Sequence, residues 1–387
     1  MKRKVMALVL CVAMASTMLL SGCGSSAESA APAEESAAPA AEEEAPAAEE
    51  APAAEEEAPA AEEEAPAAEE EAPAEEAASE EIPSIDGSQG LTYQATELSA
   101  GCTFGISVQT QANPFFLKEI TSLEETLATA EGATVLSPDP ANDLTTQVQQ
   151  ITDFVVKGVD CILIDPLDSQ GIQPALEEAA RAGIPVIAVD SACDDSSKLL
   201  SFIESNNKNL GRLAAESLCE AIGGEGKIAV IDWNTLEAVR LRVQGLQEII
   251  EEKYPNVEIV ADENAYGVVE DAQTILETIM NANPDLKGVF AINDPTAQGC
   301  IAAIEAAGKT GEIFVSSVDG SQTGIDYIKD GKLLCSPVQF PGAMASEAVR
   351  MFELYKAGKV DEIPAHEYVD GCNITIDNVA DFDGQTY

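Results

Sequence analysis

Short apolar runs at 161–165, 185–190, 227–232, 288–293 and 313–319 each end in a polar residue: Asp165, Asp190, Asp232, Asn293 and Asp319. Carboxylates accept hydrogen bonds and amides also donate them, so such groups gathered together would suit a small solute carrying hydroxyls. If the runs are strands of open α/β sheets, their carboxyl ends are where a ligand would lie. Asp and Asn are also good helix N-caps, so each residue has a second reading. Five in series point to a polar cleft with some capping. Asp165 is assigned to capping, because Pro166 follows it at an N1-like position. Asp232 is open between the two roles.

Other chemistries lack material. The single histidine, His366, lies late in the chain and away from the strand-end series, which leaves nothing for a Ser-His-Asp or Cys-His arrangement. Gly223-Gly224-Glu225-Gly226-Lys227 lacks the first Gly and the terminal Ser/Thr of a phosphate loop, and reads as a helix stop before a strand. The acidic stretch 377–384 lacks the Gly spacing and final Glu of a calcium loop. Cys102, Cys161, Cys193, Cys219, Cys300, Cys335 and Cys372 form no Cys-x-x-Cys pair and read as mostly free, buried thiols, not zinc ligands. No enzyme, metal or cofactor is expected.

The elements that must position the polar residues follow from periodicity. Near-continuous apolar runs, with 103–108 and a shorter one at 257–260 added to the five above, alternate with helical patterns of about 10–20 residues. That alternation predicts βαβ units and parallel sheets covered on both faces. Gly183, Gly226 and Gly311 sit where helices should stop and strands resume. Ten or so strands suit two doubly wound lobes better than one sheet.

The N-terminus reads as an address followed by an anchor. Lys2-Arg3-Lys4 precedes an apolar run at 5–20, too short to span a bilayer comfortably and fit for a signal peptide over 1–22. Leu20-Ser21-Gly22-Cys23 resembles the bacterial lipobox, which implies lipidation of Cys23. Repeats of Ala-Glu-Glu-Glu-Ala-Pro-Ala follow, with a proline in every unit and few large apolar side chains. Residues 23–98 are therefore expected to form a disordered tether, reaching on the order of 45 Å as a flexible coil. Glu28 to Glu81 contains 21 glutamates and no basic residue, and the whole chain carries a formal charge of -49. Such a charge would be repelled by nucleic acid and by anionic headgroups.

The segment Gln109-Thr110-Gln111-Ala112-Asn113-Pro114-Phe115-Phe116 resembles the Asn-Pro-Phe-Phe segment of the ribose-type periplasmic sugar-binding proteins, the type I solute receptors of ABC importers. Further matches follow in the family's order at 187–190, 238–245, 289–294, 318–320 and 338–341, covering essentially all of residues 101 to about 370. The resemblance implies two Rossmann-like lobes joined by three crossings, closing over a monosaccharide. It places ligand contacts at Asn113, Phe115, Phe116, Asp190, Arg242, Asn293, Asp319 and Gln339. Asp would accept from sugar hydroxyls while Arg, Asn and Gln donate, and phenyl rings would press on the C–H face of a sugar. One of the two phenylalanines is expected to face the core or hinge. Trp233, at the end of its strand, and Tyr266, near a cleft aromatic of the family, join the candidates.

Two departures bear on the ligand. Ser191 stands where the family commonly has Arg, and Gln109 where a small hydroxyl residue is common. Gln109 is counted with the ligand-facing residues. A ribose-like pentose, a hexose or an inositol all fit this reading. The expected lobes are 99–204 with 340–367, and 205–339 with 368–387. The resemblance implies an exported, lipid-anchored monomer on the outer face of the cell membrane, or periplasmic in a Gram-negative cell, which delivers its sugar to a permease. The alternatives are a sensor lipoprotein serving a chemoreceptor or sensor kinase, and a receptor for a nucleoside-like ligand. A DNA-binding repressor of the same fold would need a basic helix-turn-helix before residue 100, where this chain has an acidic segment.

Overall fold

A computed structural model of the chain describes residues 82–89, 93–384 and 387. The expected signal peptide, the lipidated Cys23 and most of the tether lie outside the described residues. Eleven strands among the described residues form two parallel sheets. Strands β1 (Ser84–Asp86), β2 (Thr103–Ser107), β3 (Thr134–Leu136), β4 (Cys161–Ile164), β5 (Val186–Val189), β6 (Ser201–Ser205) and β11 (His366–Asp370) make the first, in the order β1-β11-β6-β5-β4-β2-β3. The second holds β7 (Glu225–Asp232), β8 (Asn256–Asn264), β9 (Leu286–Ala291) and β10 (Phe314–Ser316), in the order β10-β9-β7-β8.

Each sheet is covered on both faces, which is why its central strands are apolar throughout. Every residue of β4 and β5 is buried. One face of the first sheet packs against α1 (Pro114–Leu127) and α9 (Pro341–Lys356). Its other face meets α2 (Leu144–Lys157) and α3 (Gln173–Ala182). The second sheet lies between two helix pairs: α6 (Val269–Ala282) with α7 (Asp294–Ala306), and α4 (Asn207–Ala221) with α5 (Glu237–Lys253). The short α8 (Gln322–Lys329) completes the helices described.

The chain passes between the sheets after Ser205, at Gln339–Phe340 and after Asp370. These crossings lie side by side. Asn206 donates from its backbone to Val369 O at 3.2 Å and from its side chain to Asp370 at 2.9 Å. Phe340 packs against the cores of both lobes. At Gly371 an added Cβ would lie 2.0 Å from Val338 O, so the second and third crossings can meet only through a glycine.

Two expected boundaries shift. The tether does not extend to residue 98: Ser84–Asp86 adds a parallel strand to the edge of β11. Tyr93, Thr96 and Ser99 then hydrogen-bond to Glu353 of α9. The Ala/Glu/Pro repeat ends before this stretch, where Ile85, Tyr93 and Ala95 pack against the first lobe's core. Nor does the first lobe's last segment stop at residue 367, because Tyr368 and Val369 pair with Glu204 and Ser205 in the same sheet. The seven cysteines among the described residues are free, six of them buried.

Candidate functional site

The strands of both sheets end at one cleft. At its base is a cavity of about 270 Å³, lined by residues from the carboxyl ends of β2, β5, β7, β8, β9 and β10 and from the second crossing. All eleven residues singled out in the sequence lie on it: Gln109, Asn113, Phe115, Phe116, Asp190, Trp233, Arg242, Tyr266, Asn293, Asp319 and Gln339. The size suits a small solute, since it falls just below the usual range for drug-sized ligands.

Local structure explains the placement. Asn113 caps α1 by accepting from the Phe115 backbone at 3.0 Å, which directs Phe115 and Phe116 inward. Asn293 caps α7, its Oδ1 accepting from Thr296 N at 3.0 Å and Thr296 Oγ1 at 2.6 Å. Both asparagines therefore serve the helix and the cavity together. The two phenylalanines sit edge to face at 5.4 Å, and both, not one, are buried in the core while also lining the cavity. Asp190 and Asp319 adopt positive φ (61° and 130°), and so does Tyr266 (53°). Non-glycine residues rarely do so, and backbone strain of this kind concentrates at binding sites.

Arg242 is fixed before any ligand arrives. It reaches from α5, donates from Nε to Asn207 Oδ1 at 2.9 Å and from Nη1 to Ile292 O at 2.8 Å, and lies 3.6 Å from Asp319 Oδ1. Asp319 is held in turn by the Gln339 amide at 2.9 Å and the Asp294 backbone N–H at 3.2 Å. Asp294 anchors the arrangement from beneath, accepting from the hydroxyls of Ser317, Ser321 and Ser336 and from Ser321 N. Tyr387 donates to Asp319 O at 3.0 Å and packs edge-on against Phe115 of the other lobe.

Burial raises the carboxyls. Asp319 is pushed up to about 7 by burial and by neighbouring Asp294, against the pull of Arg242. Asp190 reaches about 6 through burial, again moderated by Arg242. Behind Asp190 lie Asp165 and Glu119, both held well above the carboxylate range by burial, Asp165 further by the charge of Asp190 and Glu119 by those of Asp165 and Asp190.

Asp165 thus corrects one expectation. It caps no helix, since α3 begins only at Gln173. It is buried instead, accepting from Gln109 Nε2 at 3.2 Å, while its backbone carbonyl accepts from Gln147. Pro166 begins a loop here, and an N1-like proline alone does not start a helix. Asp232 joins neither the cleft nor a cap: it accepts from its neighbour Trp233 N at 2.7 Å and pairs with Asp262. Asn207 and Asp294 were missed. Asp294 had a signal, the polar Asn-Asp-Pro at a helix start; Asn207 had none, because its role depends on a partner 35 residues away.

The cleft continues outward. A wider compartment of about 510 Å³ shares Gln109, Ser191, Trp233, Leu236 and Tyr266 with the inner cavity and adds Asp168, Asp194, Glu237 and Arg240. Tyr266, 51% exposed, stands at the junction. The arrangement offers hydrogen-bond acceptors, amide donors, one guanidinium and aromatic faces. It can bind a polar ring between two lobes. Among the described residues, no group of three or more His, Cys, Asp or Glu is placed to hold a metal ion.

Residues 104–359 match a periplasmic binding protein domain family. The chain is 32% identical over 250 residues to the ribose import binding protein of Bacillus subtilis (strain 168), covering 64% of this chain and 80% of that protein. It is 32% identical to the D-apiose import binding protein of Actinobacillus succinogenes, over 63% of this chain and 78% of that one. Among solved structures, it is similar to an ABC transporter periplasmic solute binding protein from Actinobacillus succinogenes 130z with bound D-allose. There the TM-score is 0.67 and the identity 29%, covering 72% of this chain and 99% of the other.

Proposed function

Because the chain belongs to the periplasmic binding protein domain family, we propose that it is an extracytoplasmic receptor that captures a monosaccharide between its lobes and delivers it to the permease of an ABC importer. The observation that carries the reading is the cavity itself. Carboxylates, amides and one guanidinium converge from the strand ends of both sheets, together with the rings of Phe115 and Phe116. Each sugar hydroxyl can both donate and accept, so Asp190 and Asp319 accept while Arg242, Asn113, Asn293 and Gln339 supply donors. The phenyl faces take the apolar C–H surface. A pentose, a hexose or an inositol fits the cavity.

Binding works by population shift. A solute that touches both lobes stabilises the closed arrangement by its contacts across the cleft, and the crossings absorb the rotation. Only the closed pair of lobes presents one continuous surface to a permease. No covalent step is involved, as expected of a solute-binding family. In the same reading residues 1–22 direct export, Cys23 carries the lipid anchor, and the acidic repeat holds a monomeric receptor off the membrane.

The test is a thermal-shift panel of the purified protein against pentoses, hexoses, inositols, amino acids and nucleosides, followed by calorimetry on any hit. A ligand at one hundred times its Kd adds roughly 2.7 kcal/mol, a clear rise in Tm. A sugar hit that Asp190→Ala and Arg242→Ala each weaken supports the reading. A nucleoside hit with silence across the sugars overturns the ligand class.

A further inference from the structure

The charges around the cavity do not balance. Two carboxylates, Asp190 and Asp319, face one guanidinium, and Arg242 is already committed to the second lobe's side through Asn207, Ile292 O and Asp319. On the opposite wall Asp190 Oδ1 is shielded from solvent and has no hydrogen-bond partner. Behind it, Asp165 Oδ2 and both oxygens of Glu119 are buried and unpartnered as well. The groups whose charge is felt at Asp190 are Arg242 and Glu204, and Asp165 and Glu119 in turn feel Asp190. The side chains nearest on the cavity side, Gln109 and Ser191, are neutral, and Gln109 spends its amide on Asp165 and Ser191. One wall of the cavity therefore stacks three acids and brings no cation of its own.

Asp165 and Glu119, held well above the carboxylate range, stay protonated, so the charge on that wall is that of Asp190. A neutral hydroxyl could donate to it but would leave that charge without a cation on its own wall. Buried charge is costly unless it is paired. An ammonium group supplies both the missing donor and the missing charge, in the stronger charge-assisted form of the hydrogen bond. A metal ion is not the answer, since no acidic group among the described residues is arranged to hold one. Resting on the monosaccharide reading above, we propose that the ligand is a sugar or cyclitol bearing a protonated amine, with the ammonium seated on Asp190 and the remaining hydroxyls on Asp319, Arg242, Asn293 and Gln339.

Calorimetry on the purified full chain tests this with matched pairs: glucose and glucosamine, galactose and galactosamine, myo-inositol and an inosamine, with N-acetylglucosamine as an uncharged derivative. At least one amine is expected to bind tenfold or more tighter than its parent at pH 7, where the ammonium and Asp190 are both mostly charged, and acetylation should remove the gain. The advantage should shrink as pH falls towards 5, because a protonated Asp190 no longer attracts the ammonium. Asp190→Asn should bring the amine and its parent to similar affinity. Parent sugars binding as tightly as their amines in every pair would overturn the inference while leaving the monosaccharide receptor intact. Silence from sugars and amines alike would overturn both.

Discussion

Asn207, in the first turn of α4, accepts the Nε–H of Arg242 at 2.9 Å, so the one guanidinium on the cavity is aimed by a residue that does not line it. The Ile292 carbonyl takes a second proton at 2.8 Å. This leaves Nη2 with its protons free for a ligand, in a plane fixed by two independent partners. Asn207→Ala should therefore weaken binding without touching the ligand. Removing a charge-assisted hydrogen bond typically costs about 1.5–3 kcal/mol, so Kd should rise tenfold or more in calorimetry. An unchanged Kd would mean Ile292 alone orients the arginine.

The helix contact behind that pair leaves no room for a side chain. At Gly211 an added Cβ would lie 2.1 Å from Arg242 O, and at Gly245 one would lie 2.3 Å from Lys208 O. The backbones of α4 and α5 touch there. Gly211→Ala forces them apart, which should cost about 1–3 kcal/mol in a denaturant titration and displace Arg242 enough to weaken binding too.

Asp294 is the support on the other side. Ser317, Ser321 and Ser336 all donate to it, and its own N–H holds Asp319. Asp294→Ala would leave the hydroxyls of Ser317, Ser321 and Ser336 without their common acceptor, while the backbone N–H that holds Asp319 remains. Stability should fall by about 3 kcal/mol or more, read as a loss of several degrees in Tm. Affinity should fall with it, whereas a merely local role would leave ligand binding intact.

Much of this was legible in the chain, for physical reasons that also mark where legibility ends. Strands buried on both faces, such as Cys161–Ile164 and Val186–Val189, show themselves as unbroken apolar runs. β6 reads Ser-Phe-Ile-Glu-Ser and has no such run, although all five residues are buried, because Glu204 is satisfied by His366 and Asn207. β3 is three residues long and partly exposed. Asp190, Asn293 and Asp319 sit just beyond strand ends, a position sequence can reveal. Asn207 acts through a hydrogen-bond partner distant in the chain and Glu119 through the charges of Asp165 and Asp190, and Asp165 was misread because a following proline marks a turn as readily as a helix. Nothing in a residue's type says that a carboxyl is stacked behind another.

The stacked acids make unliganded stability fall with pH. Asp190 and Asp319 titrate at about 6 and about 7 in the folded protein, above the ordinary 3.8. A raised acid pKa means the native state binds more protons than the unfolded chain between those values, so stability drops as pH rises from about 4 to about 7. The ligand-free protein should melt several degrees higher at pH 5 than at pH 7.5. Asp319→Asn should flatten that slope; a slope unchanged in this variant and in Asp190→Asn would locate the effect elsewhere.

Glu353 acts in the opposite sense and ties the N-terminal segment to the first lobe. Burial alone would raise its pKa, but donation from Ser99, Tyr93 and Thr96 brings it below the ordinary value. A depressed carboxyl pKa contributes stability that is full above the unfolded value and is lost as pH falls through the folded one. Glu353→Ala leaves Ser99 Oγ and Thr96 N without their acceptor, costing about 1–3 kcal/mol. It should also free residues 93–99 from α9. Limited proteolysis should then cut between β1 and β2 in the variant at a protease dose that leaves the parent intact there. Equal resistance in the two would show that β1 pairing with β11, and not Glu353, holds this segment down.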